Sequence, residues 1–189
     1  MTALPIIIGL AGPAGSGKDT VRQMLESDHG FSGLAFADPI RSMVSELLSY
    51  VDAEHYAQDR ALKEEHVPRL NASYRELAQT LGTEWGRDLM GADFWVRIAL
   101  ARISRKLAAG VRRIVISDVR FANEVAAIRE AGGRIWRITR PGLQPVRAHV
   151  SEQLAMGAAE WDAHLCNDGS IEDLWVQVSN ALAEMEAEA

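Results

Sequence analysis

The chain has 189 residues, 48% of them apolar, with 20 Lys and Arg against 26 Asp and Glu and a formal net charge of −6. That length suits one globular domain able to bury roughly two-thirds of its unfolded surface without metals or disulfides, and Cys166, the only cysteine, cannot form an internal disulfide. The acidic balance excludes a dedicated nucleic-acid binder, whose affinity rests on a basic surface releasing counterions, and no apolar run approaches the ~20 residues of a membrane span.

"PIIIGLA" (5–11) opens the chain's regular structure as a continuous apolar run followed by glycines, the pattern of a buried parallel strand. A helix follows from near Gly17. "SGLAFA" (32–37) is a weaker second strand, and "DPIRSMVSELLSYV" carries Pro at a first-turn position and a helical stripe of Ile40, Val44, Leu47 and Leu48. Residues 52–72 are polar and irregular, an excursion from the core. "SYRE" (73–76) has the form of a capping box, with Leu77 and Leu81 continuing its helix.

A longer helix is expected in "ADFWVRIALARISRKLAAG", with Val96, Leu100, Ile103 and Leu107 on one face and Gly110 ending it. "RRIVISD" (112–118) is the clearest strand after the first, "ANEVAAIREAGG" a short helix, and "RIWRIT" (134–139) another strand. "AHLCN" (163–167) makes a fifth. "SIED" (170–173) is a second capping box, opening a terminal helix through Leu174, Val178 and Leu182. Every Lys and Arg lies at or before Arg147, and the tail "AEMEAEA" reads as a solvated helix face. Steady alternation of strand and helix implies a parallel sheet covered on both faces, with ligands beyond the carboxyl ends of its strands. With no basic segment ahead of the first apolar run, the expected location is cytoplasmic.

"GPAGSGKDT" (12–20) lies between the best strand and a helix start, where Gly12, Gly17 and Lys18 keep the Gly-x-x-x-x-Gly-Lys spacing of a phosphate-binding loop. Backbone N–H groups there converge on phosphate oxygens, and the helix dipole adds to the attraction. Asp19 stands where Ser or Thr is usual. A carboxylate beside a polyphosphate is repelled unless a cation lies between them, and magnesium accepts carboxylate oxygen as well as hydroxyl. Asp19 is therefore expected to take the magnesium role, with Thr20, turned by about 100° on the helix, on the α-phosphate.

"VISDVRFANE" (115–124) is the second constellation. Asp118 ends a buried strand on the side where the first strand ends, within reach of the same magnesium, and Arg120 follows two residues on. Val119 stands where ATPases that do mechanical work commonly carry an acid to activate water, which favours transfer over hydrolysis. "LGTEWGRDLMGADFWV" (81–96) is the third and brings Arg87, suited to a phosphate, near Trp95, suited to a base. Trp residues near helix starts are more often core.

Taken together, "GPAGSGKDT", "LGTEWGRDLMGADFWV", "SDVRFANEVAAIREAGG", "HVSE" and "NDGSIEDL" resemble the bacteriophage-type deoxynucleoside monophosphate kinases, in matching order from residue 9 to 174. The resemblance implies a P-loop NTPase-type three-layer α/β/α fold with a five-stranded parallel sheet. Within residues 1–189 as a single domain it implies a helical substrate-binding region at about 40–110 and a lid at 140–160. It implies ATP as phosphoryl donor, a deoxynucleoside 5′-monophosphate as acceptor and Mg2+ as helper.

Carried over position by position, it places Gly12, Ala14, Gly15, Ser16, Gly17, Lys18, Asp19 and Thr20 on ATP, with Asn167 bordering the adenine. Arg41, Arg87, Trp95, Asp118, Arg120 and Glu124 surround the monophosphate, while Asp38 and Gln79 sit in segments that contact the nucleoside. Arg140 and Arg147 fall in the lid, over the transferring phosphoryl group. The expected location is then a cytoplasm, the host's if the chain is phage-encoded, and a homodimer is compatible with all of this. Two other readings stay open at the level of sequence: a P-loop kinase for another small phosphorylated metabolite, and a non-kinase nucleotide-binding ATPase.

Overall fold

The computed structural model describes residues 4–59, 61–143 and 161–187. In chain order they form β1 (Ile6–Ala11), α1 (Lys18–His29), β2 (Ser32–Leu34), α2 (Asp38–Ser49), β3 (His66–Val67), β4 (Ala72–Ser73) and α3 (Tyr74–Gln79). A π-helix (Thr80–Leu89) continues α3, followed by α4 (Phe94–Ala108), β5 (Arg113–Val119), α5 (Ala122–Glu130), β6 (Arg134–Thr139), β7 (Ala163–Cys166) and α6 (Ile171–Ala187). No helix among these residues is long and apolar enough to cross a membrane. Contacts group the chain into two compact units, Met1–Ala35 with Ala99–Ala189, and Phe36–Ile98. The second unit overlaps the expected substrate-binding region at about 40–110 and stops at Ile98, and the rest of α4 belongs to the first.

The first unit is built on a parallel sheet of strand order β2-β5-β1-β6-β7. The expected five-stranded α/β architecture is present. On one face, Ile8 and Leu10 of β1, Trp136 and Ile138 of β6 and Leu165 of β7 pack against Val21 and Leu25 of α1 and Leu174, Val178 and Leu182 of α6. Each such side chain contributes about 1.5–3 kcal/mol when fully buried, so this layer accounts for much of the unit's cohesion. On the other face Ile128 of α5 closes with Ile135 over Gly9.

The chain leaves β1 between β5 and β6, the point where strand order reverses and where open α/β sheets bind ligands. Along the β1 and β5 pairing the register is Gly9 with Ile116 but Ala11 with Val119. The extra residue on β5 is a bulge at Ser117–Asp118, a device that re-aims side chains at the end of a ladder.

The second unit has its own core of Val44, Leu48, Ala53, Val67 and Tyr74, with Ile40, Leu77 and Leu81 packed on it. Residues 52–72 are more ordered than their polarity suggests. Two short 3-10 turns, Glu54–Ala57 and Leu62–Glu64, lead into the antiparallel pair β3 and β4. Leu47, expected on the buried stripe of α2, is exposed, because Val44 and Leu48 already fill the inner face. The predicted box at Ser73 is present: the Glu76 amide donates to the Ser73 hydroxyl at 3.2 Å, and the Ser73 amide donates to Glu76 Oε2 at 2.7 Å.

Candidate active site

The loop from Gly12 to Gly17 joins the carboxyl end of β1 to the first turn of α1. Gly12 has φ 151°, and a Cβ there would collide with the Ile138 carbonyl oxygen. The backbone therefore lies hard against β6, where a side chain has no room. Lys18 Nζ donates to the carbonyls of Gly12 at 2.7 Å and Pro13 at 2.8 Å, which arches the ammonium over the loop. Asn167, just past β7, donates its side-chain amide to the Ser16 carbonyl at 2.9 Å. Its backbone amide donates to Thr139 at 2.7 Å. The Ser16 hydroxyl is fully buried beside Gly12 and has no hydrogen-bond partner among the described residues.

These features fit a polyphosphate. The Gly12 backbone is kept bare, an ammonium overhangs the turn, a buried hydroxyl is unsatisfied, and α1 points its positive end at the loop. Asp19 lies exposed in the first turn of α1 and Asp118 is buried at the β5 bulge. No group of three or more His, Cys, Asp or Glu side chains able to hold a metal occurs among the described residues. Mg2+ needs no such cage, since it is usually bound by one or two carboxylates, retained waters and substrate phosphates. The donor set of Asp19 and Asp118 fits that chemistry.

Glu124, expected among the monophosphate ligands, is held by main-chain contacts in this structure. It is buried, and its Oε2 accepts from the backbone amides of Arg120 at 2.7 Å and Phe121 at 3.0 Å. It caps α5 and fixes the turn that carries Arg120, whose side chain is exposed. Arg140 is exposed after β6, and Arg147 lies outside the described residues with most of the expected lid.

In the second unit Asp38 begins α2 and pairs with Arg41 at 3.2 Å. Gln79 is exposed at the end of α3. Arg87 lies within the π-helix and donates to the Ala92 carbonyl at 3.3 Å. Trp95 is 3% exposed, packed edge-on to Phe94 with ring centroids 4.8 Å apart, and its indole N–H donates to the Gly82 carbonyl at 2.8 Å. Trp95, expected to offer a base a stacking face, is thus placed in the core of the unit, with its ring against Phe94 and its N–H on the main chain. The π-helix was invisible to apolar periodicity, and its signal is Gly86, where a Cβ would overlap the indole of a later tryptophan that bonds the Gly82 carbonyl. Asn167, expected at the adenine, braces the loop.

A family model described as deoxynucleotide monophosphate kinase matches residues 53–178, well over half of the chain. The chain belongs to the deoxynucleotide monophosphate kinase family. A protein of Acanthamoeba polyphaga mimivirus described as "Putative deoxynucleotide monophosphate kinase" is 29% identical over 187 residues, covering 92% of this chain and 94% of that one. The deoxynucleotide monophosphate kinase of Escherichia phage RB69 is 26% identical over 136 residues, 71% of this chain and 54% of that one.

Among solved structures, a sugar kinase from Janibacter sp. HTCC2649 shares the fold with a TM-score of 0.54 and 16% identity, over 96% of this chain and 95% of that one. The family assignment agrees with the resemblance read from the motifs. As a member of this family the chain is a phosphotransferase acting on nucleotides.

Proposed function

We infer that the chain transfers the γ-phosphoryl group of ATP to a deoxynucleoside 5′-monophosphate. The observation that carries this reading is the loop itself: bare backbone at Gly12, the arched Lys18 ammonium and the Asn167 brace, all at the strand-order reversal of the sheet. The attacking group is a phosphate oxygen. With a second pKa of about 6 it is already largely ionised at neutral pH, so no strong general base is required.

What the chain must supply is alignment and charge neutralisation. Lys18 and the loop amides hold the donor's β- and γ-phosphates, and the unsatisfied Ser16 hydroxyl offers one further donor. Asp19 and Asp118 are the carboxylates that would hold magnesium, which when bound offsets the repulsion between Asp19 and the polyphosphate. On sequence alone, Arg41, Arg87 and Arg120 are assigned to the acceptor monophosphate, whose phosphate suits the planar fork of a guanidinium, and Asp38 and Gln79 to its nucleoside. Arg140 and Arg147 are assigned, on sequence alone, to the charge developing on the transferred group. Deoxynucleoside monophosphates are supported as acceptors by family membership and by the second unit's arginines.

Coupled ADP release tests the reading. ATP, Mg2+ and a panel of deoxynucleoside monophosphates, ribonucleoside monophosphates and phosphorylated small metabolites would be compared. ADP release that depends on a deoxynucleoside monophosphate is expected. Release with a non-nucleotide acceptor alone would overturn it.

A further inference from the structure

The π-helix between Thr80 and Leu89 has a structural cause within the same unit, and that cause bears on Arg87. In this segment the Met90 amide donates to the Trp85 carbonyl at 3.0 Å, an i to i+5 closure. Each such closure places one more residue in the turn than an α-helix does. Side chains beyond it are rotated by about 100° from where a continuous α3 would aim them. Long runs of this geometry are rare, so something must select it.

Two contacts do so. The Trp95 indole N–H donates to the Gly82 carbonyl at 2.8 Å, taking one lone pair of an oxygen whose i+5 partner position is the Arg87 amide. The indole can reach that oxygen only because residue 86 has no side chain: a Cβ on Gly86 would overlap the Trp95 indole nitrogen. Gly86 is buried, and the next residue is Arg87, half-buried, with its guanidinium on the Ala92 carbonyl at 3.3 Å. Phe94 and Trp85 lie beside the indole, with Trp85 and Phe94 centroids 5.2 Å apart and Trp85 and Trp95 6.0 Å apart. The tryptophan is thus keyed into the helix at the one site where its N–H meets a main-chain carbonyl.

We propose that Trp95 and Gly86 form a lock that holds residues 80–89 in π register and thereby sets the direction of Arg87 toward the acceptor's phosphate. Trp95 and Gly86 are positioning residues, acting through Arg87 rather than on the nucleotide. The inference rests on the reading of Arg87 as an acceptor ligand. It goes beyond that reading by naming what determines the acceptor's KM from the interior of the unit.

Steady-state kinetics of the full chain with ATP, Mg2+ and a deoxynucleoside monophosphate test it, using Trp95→Phe, Gly86→Ala, Arg87→Ala, the double variant Trp95→Phe with Arg87→Ala, and Trp85→Phe. Trp85→Phe makes the same ring truncation in the same cluster without touching the Gly82 contact. Trp95→Phe and Gly86→Ala are expected to raise the KM for the monophosphate about tenfold while the KM for ATP stays within about twofold. The double variant should be no worse than Arg87→Ala alone, since a residue that acts through another adds nothing once the other is gone.

Additive losses in the double variant, an equal rise in the KM for ATP, or the same effect from Trp85→Phe would overturn the lock. If Gly86→Ala fails to fold, the Trp95→Phe comparison carries the same decision. The two readings fail differently. An unchanged monophosphate KM in Arg87→Ala would remove the acceptor role of Arg87 and the inference with it. A raised KM in Arg87→Ala with wild-type values in Trp95→Phe would overturn the lock alone.

Discussion

Asn167 fastens the phosphate loop to the sheet: its side-chain amide donates to Ser16 at 2.9 Å while its backbone amide donates to Thr139 at the end of β6. The loop's geometry is therefore set partly by a residue 151 positions away in sequence. Replacing Asn167 by Ala removes the brace and should weaken ATP binding several-fold, up to about tenfold. Asn167→Asp should be worse, because a carboxylate cannot donate and adds a negative charge beside the polyphosphate. Titration calorimetry with ATP checks the order, and equal affinities in all three proteins would count against the brace.

Gly12→Ala meets two obstacles at once, a φ of 151° and the Ile138 carbonyl. The loop must shift away from β6, and the cradle opens. Wild-type protein should melt at a higher temperature when ATP and Mg2+ are added, whereas Gly12→Ala should lose that increment. A variant that keeps the full increment would contradict the role given to this backbone.

Asp19 stands exposed on the first turn of α1, directly after Lys18. Asp19→Ala is expected to raise the Mg2+ concentration needed for half-maximal activity by about tenfold, in line with the loss of one charged ligand. Asp19→Ser, which restores the hydroxyl usual at this point, should recover part of it. Magnesium titrations that superimpose for wild type and Asp19→Ala would remove the carboxylate from the metal's surroundings.

The two capping boxes predict an acid-side signature. The Ser73 amide, then its hydroxyl, hold the Glu76 carboxyl below the usual carboxylate range, and the Ser170 amide and hydroxyl do the same for Asp173. A depressed folded-state pKa contributes stability that is fully present above the unfolded value and is lost as pH falls through the folded one. Melting temperature should therefore be flat through neutral pH and drop once the pH falls below the usual carboxylate range. Ser73→Ala should lower the neutral-pH plateau, the hydroxyl cap being worth about 1 kcal/mol, and flatten the acid drop. A Ser73→Ala profile parallel to wild type would deny Glu76 this part in the acid transition.

Legibility in the sequence followed contiguity. β1, the glycine loop and both capping boxes depend on neighbours a few residues apart, and each was readable. β2 ends at Leu34, short of the expected 32–37, because Ala35 and Phe36 are buried outside the strand, and apolar character reports burial rather than strand. The structure in residues 52–72 does not show in the sequence because its anchors, buried Ala53 and Val67 with partly buried Tyr56, Ala57 and Leu70, are spaced without a period. The Glu124 cap is local but has Phe121 at the N-cap in place of the Ser or Thr that marks a capping box, whereas the π-helix and the Asn167 brace were unreadable for a common reason. Each depends on a specific hydrogen bond to main chain, and the tryptophan that selects the π register lies 13 residues from the carbonyl it holds.

The most direct measurement follows the phosphorus. With ATP labelled at the γ-phosphate, Mg2+ and a deoxynucleoside monophosphate, the label should be recovered in the deoxynucleoside diphosphate, and turnover should stop when the acceptor is withheld. Label released as inorganic phosphate at the same rate with and without acceptor would contradict the assignment of a kinase site to this loop.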